Sequence, residues 1–390
     1  MMATEPIGKV RLDGDCVERF APVREALAKN FAERNEIGSA VCVYHRGEKV
    51  VDLWGGYMDA GRTRPWRADT LCLMYSVAKS ICTLSVHMLA DEGRVDLDAP
   101  VADYWPEFAE AGKGAIKVRH VLSHWCGVWR NDAAQPGDMY DWDRMVRVIE
   151  QQAPAWPVQT KGAYNTVNIG FITGEIVRRV TGKRIHDFVR ERICGPLGAA
   201  YYFGVPEAAL ERCAEVAPNP ADAVRAAGRN PDAAVARAWR AFPVGFGPQE
   251  QNSRRFRMSG VPSFGGIGEA RAMARIYAAL AEGGALDGIR LLSSDALARA
   301  TKTQWADMNE GSFDRPMAMA MGFMTTPPDG MPLFGRGVDA FGHLGSGGAR
   351  AVASPSKRLA LCFVSNYQSE RRSIGERTVA IVAAADACVS

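Results

Sequence analysis

The chain has 390 residues, 47% hydrophobic and 23% charged, with a formal net charge of +3. That length can bury a substantial core and more than one lobe, and the near-neutral balance, without a basic stripe interleaved with aromatics, argues against nucleic acid as a partner. No apolar run is long enough to span a bilayer, and nine cysteines without a C-x-x-C pair read as reduced, mostly core thiols of a cytoplasmic protein.

The opening residues, "MMATEPIGKVRLDGDC", lack the unbroken apolar stretch of a secretory signal. Residues 18–34 place Phe20, Val23, Leu27 and Phe31 at helical intervals, so an amphipathic helix is expected. "SAVCVYHRGEKVVDLWGG" then predicts two strands around Arg46-Gly47, so the chain opens helix, strand, strand. After Ser76, the residues Ile81, Leu84, Met88 and Leu89 keep a helical period that Gly93 ends. A second helix is expected in "VNIGFITGEIVRRVTGK", stopped by Gly182, and a third from about Glu269 to Glu282. Between them, residues 214–262 are rich in Pro, Ala, Gly and Arg with weak periodicity, which reads as an irregular wall or lid over a site. The chain closes with two strands around a Pro-Ser turn in "ARAVASPSKRLALCFVSN" and a helix from about Arg372 to Ala387.

Strands at both ends predict one sheet assembled from both termini. The expected fold class is therefore mixed α/β (α+β). Residues 1–75 together with 256–390 would form an antiparallel sheet lobe flanked by helices, and residues 76–255 a mainly helical lobe.

Within "LCLMYSVAKSICT", an apolar run halts at Ser76 and Lys79 follows one turn later. A serine at a helix start sits among free backbone N–H groups at the positive end of the dipole. Lys79 lies on the same helical face, within reach of the serine oxygen. Partly removed from water, the amine loses affinity for its proton and can accept that of Ser76, making the hydroxyl a nucleophile. The competing role for Ser76 is a plain helix cap. A second S-x-x-K, Ser354 to Lys357, falls in a Pro-containing turn, where both side chains are expected to point into water.

Two further stretches carry chemistry. Tyr164 stands in a loop just ahead of a helix, where a phenol can project into a cleft. "FGHLGSGGARAVASPS" sets His343 and four glycines just before a strand, and glycine-rich backbone allows close approach to a ligand. His120 and His124 have the i, i+4 spacing of metal ligands, but without an H-E-x-x-H context or a clear third ligand a structural role in the "LSH" turn is expected, and no metal. No serine sits in G-x-S-x-G, which disfavours an α/β-hydrolase.

The ordered set of S-x-x-K, then Tyr164, then H-x-G resembles the serine β-lactamase and penicillin-binding-protein superfamily. It looks most like the class C β-lactamase-like esterases called family VIII carboxylesterases. The resemblance runs through nearly the whole chain, in "VVDLWGGYMD", "DEGRVDLDAPVADYWPEF", "VRHVLSHWCGV", "GEIVRRVTGK" and "GGIGEARAMARIYAAL".

That resemblance implies Ser76 as nucleophile, Lys79 as its base and Tyr164 as a proton relay, with the N–H groups of Ser76 and Ser346 as an oxyanion hole. It implies a small-molecule ester substrate, no cofactor and no metal. His343, with Gly345, occupies the place of the lactamase K-T-G, and a neutral histidine anchors an anion weakly, which tilts the expectation from β-lactams to uncharged esters. Thr166 stands where lactamases usually carry asparagine. "SHWCGV" brings Trp125 and Cys126, and Trp125 with Tyr75, Trp129 and Trp239 is expected to narrow an apolar substrate pocket. β-Lactamase, D-amino-acid amidase or peptidase, acyltransferase and a catalytically silent binding protein stay open as alternatives, as does a homo-oligomer.

Overall fold

Strands β1 (Leu12–Cys16), β2 (Gly38–His45) and β3 (Glu48–Gly56) come from the start of the chain, and β4 (Phe341–Leu344), β5 (Arg350–Ser354) and β6 (Leu359–Ser365) from its end. In the computed structural model, which describes residues 10–218, 234–368 and 375–389, they form one antiparallel sheet in the order β1-β3-β2-β6-β5-β4. The β2–β3 hairpin turns on Arg46 and Gly47, both left-handed at φ 54° and 81°. That two-residue geometry matches the natural twist of paired strands.

Alternation assigns the faces of the sheet. Val41, Val43, Leu361 and Phe363 pack with Phe20, Val23, Leu27, Ile381 and Val382 of the terminal helices α1 (Ala21–Glu33) and, at the other end of the chain, Glu376–Ala387. Cys42, Tyr44, Cys362 and Val364 face the opposite way, into a core shared with Ile276 and Tyr277 of the helix Ala270–Ala281. The segment between the two strand groups is mainly helical. Its central helix, α2 (Val77–Asp91), is buried at every position from Val77 to Leu89, the pattern of a helix surrounded by protein. It packs against α3 (Asn168–Thr181), which Gly182 ends in a left-handed cap at φ 73°.

Several expectations are corrected. The described chain opens on a strand: β1 precedes the first helix. Its "LDGDC" has no apolar period, and it exists only by edge pairing with β3, where a side chain at Gly14 would meet the Asp52 carbonyl at 2.0 Å. His343 precedes β5 but lies inside a strand of its own, β4, and is fully buried. Ser354 and Lys357 do not face water: Ser354 is buried and donates to Asp339, and Lys357 pairs with Asp386 at 2.7 Å. Within 214–262, three short helices (Ala234–Ala238, Pro248–Gln251 and Arg254–Ser259) interrupt an otherwise irregular path, and the reading of 219–233 lies outside the described residues. The last helix starts at Glu376, and the expected turn from Arg372 also falls outside them. All nine cysteines are unpaired, and seven of them are buried.

Candidate active site

The approach to α2 is built to present one side chain. Strand Cys72–Leu73 pairs with Gly266–Gly268, and the Met74 N–H donates to the Gly266 carbonyl at 2.9 Å. Tyr75 then turns left-handed, at φ 50°. A bulky residue pays of order 1–3 kcal/mol for that conformation and keeps it only where its surroundings insist. Here the phenol of Tyr75 donates to Gln251 and accepts from Gln368, and its ring lies against Gly347. Ser76 follows as the N-cap residue, yet its hydroxyl makes no capping bond to the helix. Its neighbours Tyr75 and Val77 are buried while Ser76 itself is partly exposed.

Lys79 is fully buried in the first turn of α2. Its Nζ donates to Ser76 Oγ at 3.1 Å and to the Ser263 carbonyl at 2.9 Å. No carboxylate pairs with it among the described residues. Burial penalises the charged amine, and the pKa falls to about 7. Ser263 is held in turn by α3: the Gly170 N–H donates to its Oγ at 2.9 Å. A side chain at Gly170 would come within 2.6 Å of the Ser263 nitrogen, so only glycine permits this approach.

Tyr164 reaches the same point from the loop before α3. Its ring lies 5.1 Å from Lys79 Nζ, and the nearby Ser76 favours the ionised phenol. Burial lifts the phenol well above its ordinary pKa, outweighing the pull of Ser76, so it stays protonated at neutral pH. Its N–H donates to Glu310 at 3.0 Å. His124, left-handed at φ 57°, stacks on the ring at 4.9 Å and 11°. Its Nδ1 accepts the Asn165 N–H at 2.8 Å, which places the ring proton on Nε2. Asn165 Oδ1 accepts from the N–H groups of Asn168 and Ile169, capping α3.

His343 closes the far side, its ring 6.1 Å from that of Tyr164. Its Nδ1 donates to the Leu344 carbonyl at 2.8 Å, leaving a lone pair on a buried Nε2. Burial first, then the nearby Lys79, push its pKa down to about 3, so the ring is neutral. Beyond it the strand runs beside the Ser76 loop, where a side chain on Gly345 would meet the Met74 carbonyl at 2.4 Å. Gly347 and Gly348 are left-handed at φ 85° and 102°, and a side chain on Gly347 would meet the Tyr75 ring at 3.2 Å. Neither the Ser76 nor the Ser346 N–H donates to a protein acceptor among the described residues. Two such donors can hold a developing oxyanion, typically a contribution of about 3 kcal/mol each.

The structure therefore gathers Ser76, Lys79, Tyr164, His343, Gly345 and Ser346 at one place. The four aromatics expected at the pocket are distributed over three hydrophobic clusters. Tyr75 belongs to the main core, Trp125 packs half-buried against the cluster holding Tyr164 and Trp305, and buried Trp129 sits with Trp156 and Trp239 around Ala163. His120 and His124 serve separate backbone N–H groups, those of Lys117 and Asn165. Sequence reasoning missed Ser263 and Glu310. A backbone carbonyl acceptor carries no residue-type signature, and Glu310 is displaced from Tyr164 by 146 positions.

The family model described as Beta-lactamase matches residues 23–385. Esterase/beta-lactamase LipL of Mycobacterium tuberculosis is 33% identical over 368 residues, covering 91% of this chain and 83% of that protein. The crystal structure of a family VIII carboxylesterase superposes with a TM-score of 0.88 at 36% identity, over 97% of this chain and 100% of that one. A penicillin-binding-protein homologue from Caulobacter crescentus gives 0.87 at 34% identity, with the same coverages of 97% and 100%.

Proposed function

Because the chain belongs to the β-lactamase family, whose model spans residues 23–385, we propose that this serine hydrolase cleaves small carboxylic esters through an acyl-enzyme on Ser76. The observation that carries the reading is a buried amine without a carboxylate partner among the described residues, 3.1 Å from a hydroxyl that makes no capping bond. Lys79, with a pKa of about 7, takes the Ser76 proton. Oγ attacks the ester carbonyl carbon, and the oxyanion rests on the N–H groups of Ser76 and Ser346. As the intermediate collapses, the C–O bond breaks and the alkoxide takes a proton from the Tyr164 hydroxyl, which Lys79 replenishes. Water then attacks the acyl group by the reverse relay, releasing the acid and restoring Ser76.

Support for esters comes from the family VIII carboxylesterase, 36% identical over 97% of this chain, and from the uncharged His343 where a lactamase presents a cation. β-Lactam cleavage is the second reading, supported by the double name of the relative LipL. Hydrolysis of p-nitrophenyl butyrate by the wild type and by Ser76→Ala tests the proposal. The variant should fall to the uncatalysed background while keeping its fold by circular dichroism. Full activity in a folded variant would refute it, and nitrocefin turnover exceeding ester turnover would transfer support to the second reading.

A further inference from the structure

The segment Ala163–Asn165 delivers the Tyr164 phenol to Ser76, and one residue grips it on both sides. The Ala163 N–H donates to the His124 carbonyl at 3.1 Å. The Asn165 N–H donates to His124 Nδ1 at 2.8 Å. Between these anchors the imidazole lies flat on the Tyr164 ring, 4.9 Å between centroids and 11° from parallel. Glu310 fixes the remaining N–H, that of Tyr164 itself. His124 achieves this from a left-handed backbone at φ 57°, a conformation that non-glycine residues hold only when surrounding contacts demand it.

From this bracket we infer that His124 is a positioning residue, which holds the Tyr164 hydroxyl in line to protonate the departing alcohol. The inference rests on the reading of Tyr164 as proton relay. Histidine suits the place for three physical reasons. It offers an accepting nitrogen on a flat ring, so a single side chain supplies both the bond and the stack. It is buried and neutral, so it does not repel the Lys79 proton as a second cation would. A carboxylate acceptor there would instead hold Lys79 charged and spoil it as a base. A misplacement of about 1 Å in such a relay costs on the order of a hundredfold in rate.

The leaving group separates this role from simple loop fastening. p-Nitrophenolate departs without a proton, whereas an ethoxide must receive one. The test uses His124→Gly and His124→Asn, both compatible with left-handed backbone. Only asparagine keeps an acceptor near the place of Nδ1. Active sites are counted by fluorophosphonate labelling, so that losses of folded protein cancel. Per active site, His124→Gly should lose on the order of a hundredfold in kcat/KM, which reads acylation alone, on ethyl butyrate but less than about threefold on p-nitrophenyl butyrate. His124→Asn should recover most of the ethyl butyrate rate.

Equal losses on both esters in His124→Gly, or an asparagine variant no better than the glycine one, would overturn the inference. Should the glycine variant not fold, a hundredfold ester-selective loss in His124→Asn would overturn it and a near-normal ratio would support it. Tyr164→Phe serves as the reference. Leaving-group selectivity in Tyr164→Phe but not in His124→Gly sinks the role of His124 alone. Its absence from Tyr164→Phe sinks the relay reading and this inference with it.

Discussion

Lys79 Nζ spends one hydrogen bond on the carbonyl of Ser263, 184 positions away, and the other on Ser76 Oγ. This pairing aims the amine without charging it. A neutral carbonyl orients the nitrogen, whereas a carboxylate in the same place would stabilise the ammonium form and remove the base.

Replacing that lysine should trade activity for stability. Lys79→Met removes a buried amine whose proton burial disfavours, at the expense of two hydrogen bonds of about 1 kcal/mol each. Ester turnover should fall by about a hundredfold or more. The melting temperature should rise by a few degrees in the same preparation. Calorimetry alongside the p-nitrophenyl butyrate assay checks both, and a lowered melting temperature would contradict the account of the buried amine.

The pH profile follows from the same group. Only the neutral amine accepts the Ser76 proton, so kcat/KM should climb with pH through about 7 and level off above it. Tyr164 as the base would instead place the climb far into the alkaline range, because burial raises its pKa. Stability carries a matching sign. Lys79 binds its proton less tightly folded than unfolded, so its cost to the fold is full below pH 7 and shrinks as pH rises from about 7 toward 10.5. A pH series in the wild type and Lys79→Met, differenced, isolates that slope.

Gly345 keeps the glycine-rich strand against the nucleophile loop. Gly345→Ala would drive a methyl to 2.4 Å from the Met74 carbonyl and 2.9 Å from Ala349 Cβ. The backbone there is extended, φ −113°, so the strain is purely steric. Overpacking of this kind costs about 1–3 kcal/mol. The shift should also part the Ser76 and Ser346 N–H groups, so kcat should drop by tenfold or more, on the order of one lost oxyanion donor. Steady-state kinetics with a urea melt tests the two effects together.

Behind that strand, Arg377 is buried and bonds Glu36 at 2.8 Å, Tyr367 O at 2.6 Å and Gly347 O at 3.4 Å. Burial raises the Glu36 carboxyl above its usual range even against the pull of Arg377. Arg377→Met would strand that carboxylate, and breaking a buried pair in this way costs about 3–5 kcal/mol. Adding Glu36→Gln should restore part of the loss. Denaturant titration of the single and double variants reads the coupling.

Much of this was legible in the residue pattern, and the exceptions share a cause. The helical period after Ser76, the spacing to Lys79 and the Arg46-Gly47 turn are local, so their physics is written in neighbouring residues. The strand at Leu12–Cys16 is polar and exists through β3 alone. Ser354 looked like a surface residue because its partner, Asp339, comes from another segment, 15 positions earlier. His124 read as a turn histidine, and so it is. What the pattern hid is that the turn it occupies holds Tyr164.

The seam where β2 meets β6 bears on biosynthesis. Ser365 Oγ bonds Glu36 across 329 positions of chain, and β4, which carries the approach to Ser346, is synthesised long after β2 and β3. Such distant pairing makes folding slow and dependent on late-arriving sequence. A nascent polypeptide can shape α2 early, yet half its central sheet must wait until residues 341–365 are made. Translation products cut short before residue 341 should therefore be inert and prone to aggregate, so that competence arrives with those three strands.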